Sequence, residues 1–338
     1  MQINEKELLK RLMLSDVSFL TTNEKLLLQS KLDSAEKLAS MSIEDISFIA
    51  GRAIKPSGWQ GSRCLLKAKK ACQLIKALSI SCVNYESDAF PAMLREIADP
   101  PYMLFYRGNL ECLKQQRCVS VVGTRRATVS ARKAAFDFAK DASDSEETVV
   151  SGLAFGIDVF AHKGALEGKS NKTCAVLPGG VDTITPVGHT KIALKIIEAG
   201  GLLLSEYTPG TPAMNFRFVQ RNRLIAGISP AVVIIQAPAA SGAMITADFA
   251  LDYNRGLFFH EAAFNNESVS LASASEKKLR LTIKNEDKFL AKIERAPGNY
   301  VRDGAPIIKD YADYKLQMSE EHKLSSHQSD PELSFLSQ

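Results

Sequence analysis

The chain has 338 residues, 45% of them hydrophobic and 24% charged, a globular composition long enough for about two or three domains and able to bury a large core. Its formal net charge of +4 is too small to attract an anionic partner through the bulk field, so such a partner needs a local patch. The six cysteines show no CxxC pair and the five histidines no HxxxH or HExxH spacing, which argues against a zinc site or redox pair; the lack of a signal-peptide core or an apolar run of about 18 residues predicts a cytoplasmic chain with reduced thiols.

Residues 1–80 place apolar side chains at helical spacing and show no strand pattern. Leu8, Leu9 and Leu12 come first, then Leu26, Leu27, Leu28 and Leu32, then SIEDISFIAGR, which reads as a capped helix ending at Gly51. A small helical domain is predicted. Arg63, Lys67, Lys69 and Lys70 give it one basic helix, readable either as the solvated face of a packing module or as a contact surface for nucleic acid or a partner. Residues 81–117 read as a connecting segment leading into a sheet. From Cys118 onward short apolar runs alternate with helical ones: CVSVVGT, TVVSG, TCAVLPGG, GLLLSEY, AVVIIQAP and GLFFHEA. Continuous apolar strands separated by amphipathic helices predict a doubly wound α/β domain, its mostly parallel sheet covered on both faces, over residues 118–314. Within it, 266–294 is polar and charged and reads as an insertion, and 315–338 reads as a disordered tail.

Glycines follow three of the predicted strands: Gly123, then Gly152 and Gly156, then Gly179 and Gly180. At the C-terminal edge of a parallel sheet such glycines let backbone N–H groups approach a phosphate, and they equally serve tight turns. In GTRRATVS, Thr124, Arg125 and Arg126 stand beside Gly123; the planar fork of arginine suits phosphate, and two solvated surface arginines are the plain alternative. The second loop, VVSGLAFGIDVFAH, contributes Ser151, Gly152, Phe155 and Gly156. Its Asp158, near a helix start, and His162, one turn later, read as capping or loop-holding residues, because no nucleophile accompanies them.

FRFVQRNRLIAGIS gathers Arg217, Arg221 and Arg223 with Phe216, Phe218 and Asn222, and a helix starting near Asn222 would aim its N-terminus at the same edge. Positive charge beside an aromatic ring suits binding of single strands without sequence readout; each phenylalanine is equally readable as a core ring. SGAMITADFAL adds Ser241, Gly242 and Thr246 at another helix start, for lining a crevice or for close packing. The third glycine loop, LPGGVDTITP, resembles the PGG-x-GT-x-x-E signature of nucleoside monophosphate phosphoribohydrolases, enzymes that cut a base from a ribose phosphate. Asp182 and Thr183 replace its second Gly-Thr and Pro186 stands where the catalytic glutamate belongs.

In order along the chain, FPAMLREIADPPYMLFYRGNL, VSVVGTRRAT, VVSGLAFGIDVFAHKGAL, GGLLLSEYTPGT, FVQRNRLIAGIS and SGAMITADFAL resemble the DprA/Smf family of DNA-processing proteins, over residues 89–262. The resemblance implies a Rossmann-like domain that binds single-stranded DNA in a basic pocket, behind an N-terminal helical domain of sterile-alpha-motif (SAM-like) type. It implies a non-enzymatic homodimer that protects incoming strands during natural transformation and loads RecA recombinase onto them, with no cofactor, metal or membrane. Carried over by position, it puts Gly123, Arg125, Gly152, Gly156, Phe218, Arg221, Asn222 and Arg223 on the strand-binding face. The loops themselves add Thr124, Arg126, Ser151, Phe155, Gly179, Gly180, Arg217, Ser241 and Gly242. Three departures from the family pattern stand out: Phe155 replaces the arginine of SGLARGID, His260 and Glu261 replace a proline-glycine after the sixth strand, and too few residues follow Tyr314 for a winged-helix domain.

Overall fold

The computed structural model describes residues 4–55, 58–113 and 117–328. Five helices come first: α1 (Glu5–Ser15), α2 (Thr22–Lys31), α3 (Ala35–Ser40), α4 (Ile43–Ala50) and α5 (Gly61–Ala77). Local chemistry fixes their ends. Thr21 and Ser42 accept from the amides of Glu24 and Asp45, whose carboxylates bond back to the capping residues, so α2 and α4 both begin with closed capping boxes. Gly51, at φ 72°, ends α4 in the left-handed conformation. These helices do not close a core of their own. Leu12, Leu28, Leu38 and Ile46 share one apolar cluster with Met103, Phe105, Ala175, Leu177 and Leu203, which belong to the sheet region.

The sheet has nine strands: β1 (Ser81–Asn84), β2 (Met103–Gly108), β3 (Cys118–Gly123), β4 (Thr148–Ser151), β5 (Thr173–Val176), β6 (Leu202–Ser205), β7 (Ala231–Gln236), β8 (Gly256–His260) and β9 (Ile307–Ile308). Their order is β1-β2-β6-β5-β4-β3-β7-β8-β9. The six strands predicted from apolar runs are β3 to β8, all parallel to one another where they pair. Residues 81–117 are more than a connection, since β1 and β2 pair antiparallel and β2 extends the sheet antiparallel to β6. Four-residue β1 buries only its second half, which leaves too short a pattern to read as a strand.

Helices α6 (Ala92–Arg95), α7 (Val129–Asp144), α8 (Ile157–Glu167), α9 (Thr190–Glu198), α10 (Asn215–Ile228) and α11 (Gly242–Asp252) alternate with the strands. Successive strand side chains point to opposite faces, and β3 shows both destinations. Val119 and Val121 join Ala131, Phe138, Ala161 and Ala165 of α7 and α8; Cys118 and Val122 join Leu224, Ile225, Met244 and Ala247 of α10 and α11. Burial on both sides is why these strands read as unbroken apolar runs.

The segment 266–294 forms two helices, α12 (Asn266–Thr282) and α13 (Glu286–Ile293), capped by the side chains of Asn265 and Asn285. Only Ser268 and Phe289 among them are buried, so the sequence shows the solvated faces of helices and little apolar period. After α14 (Pro297–Arg302) comes α15 (Tyr311–Gln328), helical where a disordered tail was expected. Tyr314 anchors it, with its ring 5.6 Å from Phe138 and 5.2 Å from Phe258. The remainder of the expected tail, 329–338, lies outside the described residues. Among the described residues no helix is long and apolar enough to cross a membrane.

Candidate nucleic-acid interface

From β3 the chain winds outward through β4, β5 and β6, then returns across the sheet to place β7 on the other side of β3. Loops leaving β3 and β7 therefore part in opposite directions, opening a crevice at the strand C-termini where ligands of doubly wound sheets bind. A cavity of about 510 Å³ occupies this position. The end of β3 and the loop after it supply Gly123, Thr124, Arg125 and Arg126, the loop after β4 with the start of α8 supplies Ala154 and Asp158, α10 supplies Phe218, Arg221 and Asn222, and the start of α11 supplies Ser241 and Gly242.

Its floor is built on two buried side chains, Arg221 and Asp158, each bonded to backbone and not to the other. Arg221 Nη1 donates to the carbonyls of Gly152, at 2.8 Å, and Val176, tying the ends of β4 and β5 to α10. Asp158 Oδ2 accepts from the amides of Gly152 at 3.2 Å and Ala154 at 3.4 Å. Burial pushes the Arg221 guanidinium down to about 10 while Asp158 opposes the shift, so it keeps its charge at neutral pH. Burial raises the Asp158 carboxyl, and Arg221 and the two amides hold that rise in check. This carboxylate is occupied in holding its loop.

The loop after β4 also locks against the loop after β3. The Ile157 amide donates to the Thr124 carbonyl at 3.2 Å, and Gly156 sits at φ +80° where a Cβ would fall on that carbonyl oxygen, so only glycine fits. On the rim, the Arg125 guanidinium lies 4.8 Å from the centroid of the Phe218 ring, and Arg125 and Arg126 are both exposed. Opposite them, Asn222 Nδ2 donates to the Gly242 carbonyl at 3.0 Å. Ser241 precedes α11 without using its side chain as a cap, and its buried Oγ has no partner among the described residues. The start of α11, at Gly242 and Ala243, faces this region with the positive end of the helix dipole. The arrangement offers guanidinium, amide and hydroxyl donors beside an aromatic face, which suits a phosphodiester and an unstacked base.

Other residues singled out from the sequence lie elsewhere. Helix α10 begins at Asn215, so Asn222 is mid-helix and reaches the cavity by its side chain, not by a helix terminus. Arg217 turns away, donating to the Pro212 carbonyl at 2.5 Å between the rings of Tyr207 and Phe216. Arg223 lies on the opposite face of α10, paired with Glu206 at 2.6 Å and Asp99 at 3.3 Å. Gly179 and Gly180 are wedged beneath the segment 208–213, where Gly180 donates to the Thr211 carbonyl at 2.9 Å. Ser151 is buried and donates to the Val121 carbonyl at 2.7 Å. Phe155 is exposed beside this loop, its ring edge-on to His189 at 4.7 Å. His162 is buried with Nδ1 2.8 Å from Thr173 Oγ1, and burial pushes it down to about 3. The two acids facing Arg223 escaped sequence reading. The signal was the helical turn: residues two apart on a helix point in nearly opposite directions.

The family model for DNA recombination-mediator protein A matches residues 81–293. The chain belongs to that family. It is 39% identical over 171 residues to the DNA processing protein DprA of Streptococcus pneumoniae, a match covering 51% of this chain and 59% of that one. The chain spans about half the length of the curated relatives it matches. Among solved structures, S. pneumoniae DNA processing protein A aligns over 93% of this chain and 97% of its own, with a TM-score of 0.65 at 26% identity. DNA processing protein A from Helicobacter pylori, described for its single-stranded DNA binding mode, aligns over 58% of this chain and 88% of its own, with a TM-score of 0.51 at 29% identity. The family match covers the switch-point cavity and its four contributing segments entirely.

Proposed function

We propose that the chain is a non-enzymatic single-stranded DNA-binding protein that protects incoming strands during natural transformation and passes them, as a homodimer, to RecA recombinase. The observation that carries this reading is the Arg125 guanidinium stacked on Phe218 at the mouth of the switch-point cavity. A strand entering there meets charge for its backbone and a ring for a base, and no base edge is read. Membership in a family of recombination mediators supports the mediator role, and the H. pylori relative's strand binding supports the ligand. The buried Asp158 and His162 are already engaged with Gly152, Ala154 and Thr173, consistent with a site that binds and does not turn over.

Titration of labelled oligo-dT by fluorescence anisotropy tests the reading. Affinity for oligo-dT should exceed that for duplex and fall with salt. The Arg125→Ala/Arg126→Ala pair should weaken binding across all sequences, and the log–log salt slope should become shallower by about 0.7 for each phosphate no longer neutralised. Wild-type binding by that pair would move the site elsewhere. Release of free base from nucleoside monophosphates would replace the reading with the phosphoribohydrolase one. Light scattering tests the dimer, and RecA filament assembly on oligo-dT tests the hand-over.

A further inference from the structure

Helix α10 carries charge on both sides. Arg221 and Arg223 are two residues apart and project about 200° from one another. Arg221 lines the strand cavity. Arg223 lines a second cavity of about 260 Å³ behind the helix, walled by α2, by residues Asp99 to Tyr102 and by Glu206 to Thr208 after β6. Arg223 is only 6% exposed. Burial pushes its guanidinium down, but Glu206 and Asp99 outweigh burial and leave it above its ordinary value. Nη2 meets Glu206 Oε2 at 2.6 Å and Nε meets Asp99 Oδ2 at 3.3 Å. The segment bearing Asp99 is held in turn from the N-terminal helices: Thr22 Oγ1 on α2 donates to the Pro100 carbonyl at 2.5 Å, and the Tyr102 hydroxyl donates to Gln29.

We propose that Arg223 is a positioning residue for strand binding: its pairs with Glu206 and Asp99 fix the rotation of α10, and so place Phe218 and Asn222 on the opposite face, without Arg223 touching the strand. The inference rests on the strand-binding reading above. Side chains ride about 5–6 Å from a helix axis, so a turn of about 10° moves a ring by about 1 Å, enough to spoil stacking on Phe218. Asp99 is the partner through which the N-terminal helices join this anchor.

The sign of one substitution separates this from bulk electrostatics. An acid near a polyanion site repels the ligand, so neutralising it should tighten binding if charge alone matters. Positioning demands the reverse. Asp99→Asn should weaken oligo-dT binding about two- to thirtyfold, with an unchanged log–log salt slope because the same phosphates stay neutralised. Arg223→Met should weaken it further at the same slope, and Arg223→Lys should recover part of the affinity. Unchanged or tighter binding by Asp99→Asn overturns the proposal, and so does a slope shallower by about 0.7 in Arg223→Met, which would make Arg223 a phosphate ligand. Amide hydrogen exchange over Asn215–Ile228 without DNA reads the anchor directly: faster exchange in Asp99→Asn supports it and wild-type exchange overturns it. If the wild-type chain bound no oligo-dT, the strand-binding reading would fail, and the exchange experiment would still decide whether Arg223 anchors α10.

Discussion

Gly152 shows how little room the floor of the cavity has. A Cβ built there would lie 2.6 Å from both terminal nitrogens of Arg221 and from Asp158 Oδ2, in the space between the guanidinium that ties β4 to α10 and the carboxylate that holds the loop. Gly152→Ala should therefore destabilise the fold by about 1–3 kcal/mol and lower strand affinity, measurable by urea unfolding and anisotropy together. Phe218 works differently. Replacing it with Ala removes a ring and leaves Arg125 in place, so oligo-dT binding should weaken by about 1–3 kcal/mol with the salt slope intact. Lys25, on α2 above the rear cavity, carries a pH signature. Burial pushes its ammonium down to about 8, against the opposing pull of Glu206 and Asp99. Because the folded state releases this proton first, the unfolded state binds more protons between pH 8 and the ordinary lysine value, and stability rises with pH across that window. Lys25→Met should abolish that rise, seen as denaturation midpoints at about pH 7 and about pH 9.5 that differ less than in wild type. At the residue scale the sequence showed which types of group were present, and it could not show which were already taken: Asp158 by two amides, Arg221 by two carbonyls.

Elements were legible in proportion to how completely they are buried. Strands β3 to β8 read directly from their apolar runs because helices cover both faces, whereas the short edge strand β1 and its antiparallel neighbour β2 did not. Helix α12 was hidden for the opposite reason, being mostly solvated along its length. Its start rests on Asn265 accepting from the Ser268 amide at 2.9 Å, and Ser268 Oγ donates to the Ala262 carbonyl at 2.6 Å. Asn265→Ala should cost about 0.5–2 kcal/mol of stability and leave oligo-dT affinity unchanged, since α12 contributes nothing to the cavity lining. Helix α10 teaches the sharpest lesson. FRFVQRNRL looks like one basic cluster when written as a line, yet the 3.6-residue turn sends Phe218, Arg221 and Asn222 one way and Phe216, Gln220 and Arg223 the other. Arginines counted from sequence become a site only after they are assigned to faces.

At the scale of the molecule, the N-terminal helices and the sheet share a core where the sequence suggested a separate module. Change of texture at Cys118 marks a change in secondary structure, not in packing, because Leu12 and Ile46 meet Phe105 and Leu203 in one cluster. Cooperative unfolding should follow. The single tryptophan, Trp59, donates to the Met41 carbonyl at 2.9 Å within the N-terminal region, so its fluorescence reports those helices while far-ultraviolet circular dichroism reports the whole chain. The two transitions should coincide in urea, and an earlier fluorescence transition would show that the helices melt independently.

The switch-point crevice draws on four stretches of chain that are remote from one another until β7 has docked beside β3. A nascent or clipped polypeptide holding only Arg125 and Arg126, or only Phe218, carries the charges without the receptacle. On the strand-binding reading proposed above, grip on a polynucleotide is a property of the finished architecture, and peptides cut from it should be blind to DNA at any concentration where the intact chain saturates.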